Sequence, residues 1–126
     1  MQGHRDLVAW QRAMELVTEI YRATRSFPKD ELYQLVSQLR RAAVSVPSNL
    51  AEGHGRNSRK EFHHVISQAR GSLAEVETQV EIAKNLGFLR PDCTSELLMK
   101  IAEVGRMLTG LRAWSAGVSR EAPTSS

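Results

Sequence analysis

The sequence has 126 residues, short of the roughly 150 that a domain typically takes, so a single hydrophobic core must carry the fold. Hydrophobic residues at 41% and charged residues at 25% exclude a disordered or collagen-like chain, and the one cysteine, Cys93, excludes an internal disulfide. The net charge of +3 is too small to name a nucleic-acid partner by itself, but it is segregated: residues 32–70 carry six basic and two acidic side chains, residues 71–104 three and six. No basic region followed by an apolar one opens the sequence, and no apolar run approaches the roughly 18 residues that span a bilayer. The expectation is a cytoplasmic protein with no membrane partner.

Four segments show helical periodicity, and none shows a sustained strand alternation. In the first, Leu7, Trp10, Met14, Val17 and Tyr21 recur at three- and four-residue steps after Asp6, a predicted N-cap, and Ser26-Phe27-Pro28 ends it. The second starts at Asp30, another predicted cap, and runs through Leu32, Leu35, Val36, Leu39, Ala43, Val46 and Leu50 to Gly53 and Gly55, residues that suit a left-handed helix end. The third opens with Ser58 three residues before Glu61, the capping-box spacing. Its seam is Phe62, Ile66, Ala69, Leu73, Val76, Val80 and Ala83, and Gly87 closes it, with Phe88 and Leu89 placed to plug the bundle end. Pro91-Asp92 starts a fourth helix with Leu97, Ile101, Val104, Leu108 and Leu111 inward. Each stripe must be buried against its neighbours, so the predicted fold is all-α, an antiparallel up-down-up-down four-helix bundle over residues 1–115. Residues 116–126 read as a flexible tail.

The first helix carries a second seam, Ala9, Ala13, Leu16 and Ile20, at about 110° around from the first. Either the two make one broad core face, or the second meets another subunit. The second helix aligns Gln34, Arg41, Ser45, Ser48 and Glu52, and the third Gln68, Ser72, Glu75 and Gln79. These small and uncharged side chains read as subunit interfaces, with Arg41 and Glu75 of neighbouring copies a candidate pair; a solvated face is the alternative.

The segment Ser45-Val46-Pro47-Ser48-Asn49-Leu50-Ala51-Glu52-Gly53-His54-Gly55-Arg56 is followed by Ser58, Lys60-Glu61-Phe62, Gly71-Ser72, Glu75, Glu77 and Thr78. With Asp6-Leu7-Val8, Trp10-Gln11 and Leu86-Gly87, it resembles a bacterial family of four-helix-bundle proteins first met as reading frames inside intervening sequences of 23S ribosomal RNA genes. The resemblance covers about residues 6–115 and implies a homopentameric ring in a family of undefined biochemical role. It also implies similarity to the accessory protein of diversity-generating retroelements, a basic pentameric ring that works with a reverse transcriptase and nucleic acid. It does not imply a structural component of the ribosome.

Pro47 falls inside the second helix, where it removes a donor and crowds the Ala43 carbonyl; packing, a kink and the polar groups of Ser45, Ser48 or Asn49 are the expected compensation. Glu61 and His64 have the spacing of a di-iron half-site, but no second pair exists, so no metal or other cofactor is expected. Cys93 reads as a lone exposed thiol, with the dipole of a helix N-terminus there to lower its pKa. No phosphate-loop pattern occurs.

The most suggestive chemistry is Arg56, Arg59 and Lys60 at the start of the third helix, extended by Arg70, with Arg59, His63 and Arg70 on one side of the helix wheel. Two readings stand: a phosphate-binding cluster, or a solvated or intersubunit salt-bridge face continued by Glu77 and Glu81. No aromatic platform is evident beside the cluster. The functional expectation is a non-enzymatic oligomeric scaffold whose partner is nucleic acid or a nucleic-acid enzyme. The alternative is a protein-only adaptor.

Overall fold

The computed structural model describes residues 3–55 and 58–116, which form four α-helices and no strand. The first, α1 (Val8–Thr24), follows a single 3-10 turn at His4–Asp6. Asp6 lies inside that turn and does not cap α1; the N-cap position is Leu7, extended and fully buried, with no side-chain cap. Asp30 likewise sits within a 3-10 turn, Lys29–Glu31, which feeds a π turn at Leu32–Val36 and then α2 (Ser37–His54). No side chain caps this stacked entry, and Leu32, predicted inward, is 45% exposed.

Helix α2 runs through the buried Pro47 without interruption. The Asn49 amide donates to the Ser45 carbonyl at 2.8 Å and to its hydroxyl at 3.0 Å, so the side-chain support falls on Ser45 and not on Ala43. Gly55 ends α2 in a right-handed conformation, φ −81°. Gly53 is needed for a different reason than a helix end: a Cβ there would lie 3.0 Å from Val65 Cγ1 and 3.2 Å from Phe62 Cδ1, so its missing side chain lets α2 approach α3 (Arg59–Asn85).

The ends of α3 follow the sequence closely. The Ser58 hydroxyl accepts from the Glu61 N–H at 3.1 Å, and the helix closes with Phe88 N–H on the Ala83 carbonyl at 2.9 Å and Gly87 N–H on the Lys84 carbonyl at 3.0 Å. That is a Schellman end, and it requires the left-handed φ of +79° at Gly87. Leu89 is buried, and the Phe88 ring packs at 5.5 Å on Phe27. Pro91, at a position whose N–H needs no helical partner, starts α4 (Pro91–Ser115).

The core draws Leu39, Val46 and Leu50 from α2, Ile66, Val76 and Val80 from α3, and Val104, Leu108 and Leu111 from α4. From α1 it draws Ala9, Ala13, Leu16 and Ile20, each at most 1% exposed. The two seams of α1 are therefore exchanged relative to the sequence reading. Leu16 and Ile20 cannot form a subunit interface, because no surface of theirs is left to offer. The other seam is split: Leu7 is fully buried, Trp10 and Val17 pack partly against the core, and Met14 and Tyr21, about 40% exposed, form the rim. The small Ala9 and Ala13 let α1 sit close to its neighbours.

No helix among the described residues is long and apolar enough to cross a membrane. The tail expected at 116–126 lies outside the described residues except for Ala116, the C-cap of α4.

Candidate anion-binding groove

Helix α3 turns Arg59, His63, Ser67 and Arg70 toward α4, steps of four, four and three residues that keep one face. Arg59, Lys60 and His63 line a depression of about 400 Å³ with Ser115 and Ala116 of α4. Arg70 stands further along, in a second depression with Glu77 from α3 and Gly105, Arg106 and Thr109 from α4. Ala74, Ala102 and Gly105, all small, line this second depression and leave it open.

Hydrogen bonds tie the two helices along this line. His63 Nδ1 lies 2.9 Å from Ser115 Oγ, and Arg112 Nε donates to Ser67 Oγ at 3.4 Å. Ser115 Oγ has one proton, and when it is given to the Arg112 carbonyl at 2.9 Å the hydroxyl accepts from His63. The proton is then on Nδ1, and in the neutral ring Nε2 is left as an acceptor.

Outside the groove some cations are paired and others, Arg5, Arg25, Lys29, Arg40 and Arg41, are in no ion pair among the described residues. Arg12 pairs with Glu15 at 3.1 Å and reaches Glu103 at 3.8 Å, Arg22 pairs with Glu19, Lys84 with Glu81, Arg90 with Asp92 and Lys100 with Glu19. Lys60, Arg70, Arg106 and Arg112 form no ion pair among the described residues. Glu77 is the one carboxylate lining either depression, and Glu81 is taken by Lys84. Unpaired cations on adjacent helices repel one another unless an anion lies between them.

Of the residues read from sequence, the fold brings Arg59, Lys60 and Arg70 onto one groove, while Arg56 lies outside the described residues. Three further members escaped the sequence reading: Arg106, Arg112 and Trp114. Arg59 Cζ stands 5.1 Å from the centre of the Trp114 ring, and the Phe62 ring meets that indole edge-on at 5.8 Å. An aromatic group therefore does stand beside the basic cluster, supplied by α4.

The stripes read as subunit interfaces meet in a separate groove. Arg41, Ser45, Ser72 and Glu75 line it with Gln38 and Gln79, and Ser45 and Ser72 hydrogen bond to each other at 2.7 Å. The close approach those serines permit is thus between α2 and α3 of one chain. Ser48 and Glu52 are exposed. Cys93 is half-buried beside Glu19, Glu96 and Lys100, and burial, with Asp92, Glu96 and Glu19 nearby, pushes its thiol up from the ordinary value instead of down. The direction is opposite to the lowering expected from a helix N-terminus, with burial the largest cause and the carboxylates next. His64 is exposed, and no three His, Cys, Asp or Glu side chains gather as a metal site among the described residues.

These features define an all-α helical bundle with a cationic groove on one helix pair. The chain belongs to the 23S rRNA-intervening sequence protein family, whose model matches residues 5–110. No curated protein matches it.

Proposed function

We propose that this protein is a non-enzymatic, oligomeric, nucleic-acid-binding scaffold of the cytoplasm that holds the phosphate backbone in the α3–α4 groove. The observation that carries the reading is the gathering of four cations, Lys60, Arg70, Arg106 and Arg112, none in an ion pair among the described residues, along one pair of helices where Glu77 is the one lining carboxylate. Arginine forks match phosphate oxygens two at a time, which suits the groove to a polyanion. The test is binding to RNA and DNA at several salt concentrations, wild type against a Lys60→Glu, Arg70→Glu, Arg106→Glu variant. Wild type should lose affinity steeply with salt, by a slope of about 0.9 per neutralised phosphate on duplex DNA, and the variant should lose most binding. If the variant binds as well as wild type, or neither binds at low salt, the protein-only adaptor takes the place of this reading.

The assembly belongs to the same proposal: helices running up-down-up-down, and copies closing into a homopentameric ring. Supporting the first are the pairings Arg40 with Thr24, Ser45 with Ser72 and Phe62 with Trp114, which join successive helices at matching heights. Supporting the second is the exposed rim of Met14 and Tyr21, with Val44 also exposed on α2. Arg41, Ser48, Glu52 and Glu75 remain the polar candidates for contacts between copies. A ring would repeat the groove around one axis, so that weak phosphate contacts add by avidity. Light scattering across micromolar concentrations decides it, and a monomer throughout would overturn the ring.

A further inference from the structure

The end of the groove holds more than charge. The Arg59 guanidinium lies over the Trp114 indole at 5.1 Å, and the indole is itself fixed by the Phe62 ring at 76° to it. Arg59 is exposed, so a planar cation backed by an aromatic ring is presented to solvent. Beside it, His63 turns Nδ1 to Ser115 and keeps Nε2 as an acceptor. From this platform to Arg70 the helix advances eleven residues, about 16 Å, with the other cations spaced along the way.

A duplex hides its base faces in its own stack and shows a groove only phosphates. A flat guanidinium on an indole can then give a duplex only a phosphate contact, and its stacking face goes unused. An unpaired nucleotide offers both a phosphate and a free base face, and bases stack on aromatic rings and on arginine planes alike. We infer that the α3–α4 groove takes single-stranded nucleic acid, with one unpaired base stacked on Arg59 over Trp114 and the adjoining phosphates on Lys60, Arg112, Arg70 and Arg106. This rests on the nucleic-acid reading above and narrows its substrate class.

The experiment uses the full chain carrying Trp10→Phe, so that tryptophan emission reports Trp114 alone. Single-stranded DNA and RNA oligonucleotides, and duplexes of the same length, are titrated at fixed salt. The expected result is single-strand binding about tenfold tighter than duplex binding, with a change in Trp114 emission on single strands. Arg59→Lys, which keeps the charge but loses the plane, should abolish that preference while leaving duplex binding within about twofold. Duplex binding equal to or tighter than single-strand binding, or an unchanged preference in Arg59→Lys, overturns the inference and leaves the nucleic-acid reading standing. Binding of neither form at low salt overturns both.

Discussion

Gly53 on α2 lies against Val65 on α3 so closely that a Cβ on the glycine would stand 3.0 Å from Val65 Cγ1 and 3.1 Å from its Cβ. Neither atom is the far end of a flexible chain, since β-branched valine has little rotamer freedom in a helix. Gly53→Ala gains about 1 kcal/mol of helix propensity but must force the helices apart, at about 1–3 kcal/mol. The expected net is destabilisation. Gly71, also mid-helix, has nothing within 4 Å of its Cβ position, so Gly71→Ala should stabilise by about 1 kcal/mol. Urea denaturation of the two variants should move the midpoint in opposite directions.

The exchange of seams on α1 gives a second contrast. Leu16 is 1% exposed and Met14 41%. Leu16→Ala should cost about 2–5 kcal/mol, and Leu16→Glu should prevent folding. Met14→Glu should leave the helical circular dichroism and the melting temperature nearly unchanged, yet shift the assembly toward smaller species in light scattering. A Leu16→Glu protein that stays folded and merely dissociates would contradict the packing described here.

The sequence made the ends of α3 readable because capping is local: Ser58 and Glu61, or Ala83 and Phe88, are within five residues of each other. It left α1 ambiguous because both seams are apolar and lie only about 110° apart, and the larger side chains of Trp10, Met14 and Tyr21 outweighed Ala9 and Ala13. Burial follows fit and not size, and fit depends on partners that periodicity does not contain. The groove was half readable for the same reason. Arg59, Lys60, His63 and Arg70 share one helix, whereas Trp114 and Ser115 reach them from about fifty residues away, and only the packing of α4 on α3 brings them there.

Cys93 supplies a pH prediction. Its folded-state pKa is raised above the ordinary 9.0, chiefly by burial and then by Asp92, Glu96 and Glu19. The stability this contributes is fully present below the unfolded value and is lost as pH rises through the higher folded one. Alkylation by iodoacetamide, which needs the thiolate, should have its rate midpoint above that of a free cysteine peptide. Glu96→Gln should move the midpoint down, and a midpoint below the peptide's would show that the helix dipole prevails after all.

The α2–α3 groove supplies the last prediction. Ser45 and Ser72 share a hydrogen bond of 2.7 Å, and the Asn49 amide supports Ser45. Each single alanine variant costs the remaining hydroxyl this bond, at about 1 kcal/mol, with Ser45 keeping only the Asn49 amide, whereas the double variant removes both hydroxyls together. The double-mutant cycle should therefore show a coupling of about 0.5–1.5 kcal/mol. In the same groove Gln79 Oε1 is buried with no hydrogen-bond partner among the described residues, a cost that Gln79→Met would remove while keeping the volume. Measured by urea denaturation under conditions where the protein is monomeric, Gln79→Met should be neutral or stabilising by up to about 1 kcal/mol. If a neighbouring copy donates to that oxygen, the same variant should weaken assembly without lowering monomer stability. A loss of monomer stability would show that the amide has a partner within its own chain.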